Sequence, residues 1–173
     1  ILESEELYRK AKQVVVIDHH RKIVDYIDNA VIFYHEPFAS SASELVTELV
    51  QYFELNPVLS SDYSNALLSG IMTDTKNFVM QTGVRTFEAA AYLRKIGADT
   101  VKVINMTADS LAHYQLRSKV VSEAEFYKGC AVSSAGKSDI SELRIIASQA
   151  ADQLLTIKNV RASFVIYEMN DVV

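Results

Sequence analysis

The chain has 173 residues, 49% of them hydrophobic and 23% charged. That is enough for one ordinary domain, or one domain plus part of a second, with a real core, and it excludes disorder, a fibrous repeat or a disulfide-stapled scaffold. A formal charge of -5 argues against duplex DNA and any broad basic face for nucleic acid, but a small anion held at one local site stays open.

Residues Glu3 to Lys12 read as the end of a helix. The largely β-branched run Gln13-Val14-Val15-Val16-Ile17 then reads as a strand covered on both faces, as in a parallel α/β sheet. It ends in Asp18-His19-His20. A second short strand is expected over Ala30 to Tyr34, followed by Pro37. Ser41-Ala42-Ser43-Glu44 is a capping box that opens a helix through about Phe53. Ser60 or Ser61 caps the next helix, where Leu67, Leu68, Ile71 and Met72 recur at helical spacing and Asp74 falls near the carboxyl end. Val84 to Ile96 is a third helix closed by Gly97 as a left-handed cap, and Asp99 opens a fourth.

Asp109 to Lys128 reads as a longer connecting helix ended by Gly129. From Cys130 the pattern becomes a short strand, a polar loop around Gly136, a helix from Ser138 or Asp139, and an alternating strand from Arg161 to Glu168, a β-α-β fragment. The expected division is 1–108, a connecting helix over 109–128, and 129–173. The single Cys130 reads as a small buried hydrophobe in a reducing cytoplasm. No apolar run approaches the roughly 18 residues of a membrane span, and no signal peptide is evident, so no membrane contact is expected of this chain. It starts at Ile1 and ends at Val173 inside an apparent strand, so both ends are expected to be cut.

Chemistry concentrates at Asp18-His19-His20. In open α/β sheets ligands bind outside the carboxyl ends of the strands, and strand alternation turns His19 one way and Asp18 and His20 the other. One histidine is thus placed to ligate a metal while its neighbours orient it or meet substrate; a polar strand exit is the plainer alternative. Asp74 lies near the apolar face of its helix and needs a partner, and imidazole with carboxylate suits a divalent ion such as manganese. Ser40 and Ser41 could donate to a phosphate, although capping already accounts for them. Arg85 either binds phosphate or holds the loop before its helix. His35 and His113 have no partner motif and read as structural or surface residues.

The run Val14 to His20 resembles the signature of the DHH phosphoesterase superfamily. Phe38-Ala39-Ser40-Ser41-Ala42-Ser43-Glu44-Leu45, the stretch Leu68 to Phe78, and Gln81 to Ala90 resemble the blocks that follow it. Through Tyr92 to Thr100 the wording is similar to the cyclic-di-AMP phosphodiesterases of that superfamily, and Ser148 to Ile166 looks like the start of their associated substrate-binding domain. The resemblance implies a doubly wound, mostly parallel α/β domain, incomplete here, joined to a partial α+β domain. It also implies a phosphodiesterase that cleaves cyclic di-AMP to linear pApA with two manganese ions, which activate a water between them.

Carried over by position, His19 and Asp74 match metal ligands; Asp18 and His20 match the catalytic remainder, with His20 the one expected to approach the phosphate; Arg85, Ser40 and Ser41 are the substrate-binding candidates. The metals would let an acidic protein hold an anion. A short oligonucleotide or 3'-phosphoadenosine 5'-phosphate is the alternative substrate, and a non-catalytic binding module the alternative of another class. The resemblance also implies a cytoplasmic domain of a protein anchored in the bacterial plasma membrane, compatible with a homodimer. An early His-x-x-x-Asp-x-Asp block and a further aspartate are not found between Ile1 and the motif, and the later Gly-rich, His-containing motif is not found before Val173. With two convincing ligands, the chain by itself is expected to be inactive and to bind manganese weakly.

Overall fold

The computed structural model describes residues 4–21, 27–53, 60–137 and 143–168. It divides into two units, Ile1–Ala108 and Asp109–Val173.

In the first unit, Ser4 accepts the Leu7 N–H and caps a short helix α1 (Glu5–Lys10). The expected helix end is therefore a complete two-turn element, held by the exposed i,i+4 pairs Glu5–Arg9 and Glu6–Lys10. Strand β1 (Val15–Asp18) pairs in parallel with β2 (Ile32–His35), Asp18 opposite His35. The expectation that β1 is covered on both faces is not met among the described residues, for Val15 is 54% exposed and the rest of β1 half-buried. β-branched residues favour the extended backbone wherever they lie, but coverage depends on the layers packed against it, and here α2 (Ala42–Tyr52) packs on β1.

Helix α2 begins where the capping box places it. Ser41 Oγ accepts the Glu44 N–H at 3.0 Å, while the buried Glu44 carboxylate reaches back to the hydroxyl of Ser40 at 2.6 Å and to its N–H. Helix α3 (Ser61–Asp74) is capped by Ser60, and α4 (Val84–Lys95) is followed by Gly97 at φ 113°; Asp99 caps α5 (Thr100–Met106). Leu68, Ile71, Ala89, Leu93 and Val103 from these three helices, with Ala98 from the connection between α4 and α5, form the core, with Leu67 and Met72 partly buried against it. Each large aliphatic buried there contributes about 1.5–3 kcal/mol. Gly70 lets α3 approach α2, because a Cβ at that position would stand 2.1 Å from Ser43 Oγ.

In the second unit the expected long helix is two elements. Helix α6 (Leu111–Ser122) stops early, and Glu125–Tyr127 forms strand β3, paired antiparallel with β4 (Cys130–Lys137). Lys128 (φ 48°) and Gly129 (φ 83°) make the two-residue turn of a hairpin, both in the left-handed region such turns demand. Gly129 thus serves a hairpin and does not end a helix. Gly136 lies within β4, at a register irregularity against the parallel strand β5 (Ala162–Glu168), and is not part of a loop. Helix α7 (Leu143–Leu155) joins β4 to β5; its expected start at Ser138 or Asp139 lies outside the described residues.

Ala131, Ser133 and Ala135 of β4 point inward, and α6 and α7 pack against β4. Cys130 occupies the alternate position and is free and half-buried, so it is not the buried hydrophobe expected. The architecture is α/β. No helix among the described residues is long and apolar enough to cross a membrane.

Candidate functional site

The carboxyl ends of β1 and β2 carry the histidines. Asp18 and His20 lie on one side and bond each other, His20 N–H to Asp18 Oδ1 at 3.0 Å and ring Nδ1 to the same oxygen at 2.7 Å. His35, opposite Asp18 in the sheet, holds the His20 carbonyl through Nε2 at 2.6 Å, which fixes the ring tautomer with its proton on that nitrogen. Strand β1 ends at Asp18, so alternation does not carry on to the histidines, and the His19 ring lies beside that of His20 and not on the opposite side as expected. The His19 Nε2 lies 3.4 Å from Asp74 Oδ2 at the end of α3. The two histidine rings stand 4.5 Å apart, tilted by 53°.

His19 is largely buried, whereas the Asp74 side chain is 42% exposed. Asp74 is the last residue of α3, where the helix macrodipole is negative and a carboxylate is disfavoured unless a cation is near. Two donors on one ion at about 2.1 Å each are roughly 3.0–3.4 Å apart, so His19 Nε2 and Asp74 Oδ2 fit one shared cation as part of its coordination sphere. No group of three or more His, Cys, Asp or Glu side chains with metal-binding geometry occurs among the described residues. Burial alone would raise the Asp18 carboxyl, but the N–H groups and charge of His20 outweigh it, and Asp18 ionises below its ordinary value.

Ser40 and Ser41, the phosphate-donor candidates, are buried and turned to structure, one bonded to Glu44 and the other capping α2. Arg85 makes a bidentate pair with Glu48 of α2, both bonds 2.8 Å. That pair lowers the Glu48 carboxyl and raises the guanidinium further. Tyr34 Oη reaches Glu48 at 3.5 Å, and burial together with the Glu48 charge raises the phenol. Arg85 therefore ties α4 to α2 and β2 in this structure. Glu48 and Tyr34 escaped the sequence reading, since partners 37 and 14 residues apart leave no local signature. A cleft lined by Asp62, Asn65, Lys102, Asn105 and Met106 lies toward the start of α3; Asp62 is about 18 Å along the helix from Asp74.

Residues 1–71 of the chain match the DHH family, N-terminal domain. Among curated proteins, the chain is 44% identical over 99% of its length to the cyclic-di-AMP phosphodiesterase GdpP of Geobacillus thermodenitrificans (strain NG80-2), covering 26% of that protein. It is 42% identical over 94% of its length to the cyclic-di-AMP phosphodiesterase PdeA of Listeria monocytogenes serotype 1/2a (strain 10403S), covering 25% of it. The chain thus spans about a quarter of the length of these relatives. A solved structure of an exopolyphosphatase-related protein from Bacteroides fragilis shares the fold, with a TM-score of 0.76 over 92% of this chain and 48% of that one at 24% identity.

Proposed function

We propose that this chain is part of a divalent-cation-dependent phosphodiesterase that opens cyclic di-AMP to linear pApA, with manganese as the cation. The observation that carries the reading is the meeting of His19 and Asp74 at 3.4 Å. They lie far apart in sequence, and the relatives that match 94–99% of this chain at 42–44% identity are named cyclic-di-AMP phosphodiesterases.

In this reading His19 and Asp74 hold a cation, which when bound supplies positive charge and an activated water for phosphoryl chemistry. Asp18 orients His20 through the 2.7 Å bond to Nδ1, which leaves the other ring nitrogen to meet a phosphate oxygen. His35 anchors the His20 backbone from the neighbouring strand. Arg85, Ser40 and Ser41 are bonded to Glu48 and Glu44 within the fold.

Two donors leave an ion incompletely held, so the 173-residue chain should hydrolyse cyclic di-AMP little or not at all. The decisive experiment replaces the matching segment of the Geobacillus relative with these 173 residues and follows hydrolysis by chromatography in manganese. The chimera should be active, and His19→Ala or Asp74→Ala in it should reduce the rate at least about 100-fold. A folded but inactive chimera overturns the phosphodiesterase reading. Two tight manganese sites in the chain alone overturn the partial site.

A further inference from the structure

The chain leaves α3 in a conformation that its residue types do not favour. Lys76, Asn77 and Phe78, immediately behind Asp74 and Thr75, have φ of 48°, 57° and 64°. Asparagine tolerates the left-handed region; lysine and phenylalanine adopt it at a cost, and three such residues in succession persist only where surroundings over-determine them.

Thr75 supplies that determination. Its side chain is wholly buried. The hydroxyl donates to the Ile71 carbonyl at 2.7 Å and accepts the Phe78 N–H at 3.0 Å. Its carbonyl receives the N–H groups of Val79 at 2.9 Å and Met80 at 2.8 Å, while the Asn77 N–H returns to the Met72 carbonyl at 2.8 Å. The Phe78 ring stacks on Phe87 of α4, centroids 5.6 Å apart. One hydroxyl therefore joins the last turn of α3 to the left-handed turn, with Asp74 between the two.

We propose that Thr75 is a positioning residue: by clamping the left-handed turn to the end of α3, its hydroxyl fixes the Asp74 carboxylate opposite His19. A last helical residue otherwise frays with its helix, and a ligand pair tolerates displacements of only about 0.5 Å. The purpose of the clamp rests on the reading of His19 and Asp74 as cation donors; its existence does not.

The test compares Thr75→Val, which keeps the branched shape and loses the hydroxyl, with Thr75→Ser, which keeps the hydroxyl. Three-bond couplings to Asp74 Cγ report its χ1, and amide exchange reports the turn. Wild type and Thr75→Ser should hold one Asp74 rotamer. Thr75→Val should average over several, with the Phe78 amide exchanging at least about ten-fold faster while the α4 amides keep their protection. Averaged couplings in the wild type, or a locked rotamer in Thr75→Val, overturn the proposal. If Thr75→Val does not fold, Thr75→Cys, a weaker donor of similar size, takes its place. Manganese binding, followed by electron paramagnetic resonance, should weaken about ten-fold in Thr75→Val. Absence of manganese binding in the wild type counts against the cation reading and leaves the rotamer result to judge Thr75.

Discussion

Asp74 sits at the end of α3 where a negative charge costs stability. Its carboxylate faces the negative end of the macrodipole, and a described partner is the imidazole of His19 at 3.4 Å. Such a placement is worth about 0.3–1 kcal/mol against the fold. Asp74→Asn should therefore stabilise the cation-free protein by up to roughly that amount at alkaline pH, where imidazoles carry no charge to offset the carboxylate. The same substitution should weaken manganese binding, the trade expected where function dictates a residue against stability. Urea unfolding with a chelator present measures the first effect and a manganese titration the second. A loss of stability in Asp74→Asn would mean that the carboxylate is held by bonds other than the pair described. Ser41 and Glu44 show the opposite case: both polar side chains are buried, but each has a bonded partner within its own segment.

Among the elements, the legible parts were those whose partners are local. The capping box at Ser41 and the caps at Ser60 and Asp99 all act within a few residues. The misread span from Ala124 to Lys128 is short, and its strand character depends on pairing with β4. A three-residue strand has no periodicity of its own. The left-handed turn behind Asp74 had no glycine to announce it, and the Arg85–Glu48 bond joins α4 to α2 across 37 residues.

That bond makes a pH prediction at the same scale. Arg85 depresses the Glu48 carboxyl below its ordinary 4.5, so the pair's stabilisation is fully present above about 4.5 and is lost as pH falls through the lower folded value. Glu48→Gln should cost about 1 kcal/mol at pH 7, the upper range for a partly exposed but bidentate pair. The gap to wild type should close in acid. Asp18, depressed in the same direction by His20, leaves Glu48→Gln with a residual acid slope. Urea unfolding at pH 7, 4.5 and 3 decides; a gap that widens toward acid contradicts the assignment.

Across the whole chain, the question is how far a cation contributes to folding. A closed structural site with four protein ligands adds about 10–16 kcal/mol in small zinc domains and makes the fold depend on metal. Here the first unit has its own core in Leu68, Ile71, Leu93 and Val103, and the proposed cation donors among the described residues are the single pair His19 and Asp74. A ligand stabilises by RT ln(1 + [L]/Kd), so with a dissociation constant of about 1 mM, 1 mM manganese contributes only about 0.4 kcal/mol. For a chain of this size that corresponds to a rise in Tm of about 1–2 °C. Chelators should leave the protein folded, manganese should raise Tm by no more than that, and His19→Ala or Asp74→Ala should each abolish the rise. A manganese-induced shift above about 5 °C in the 173-residue chain, measured by circular dichroism, would require donors beyond this pair. It would also remove the reason for expecting the chain by itself to be inactive, because that expectation rests on one proposed donor pair among the described residues.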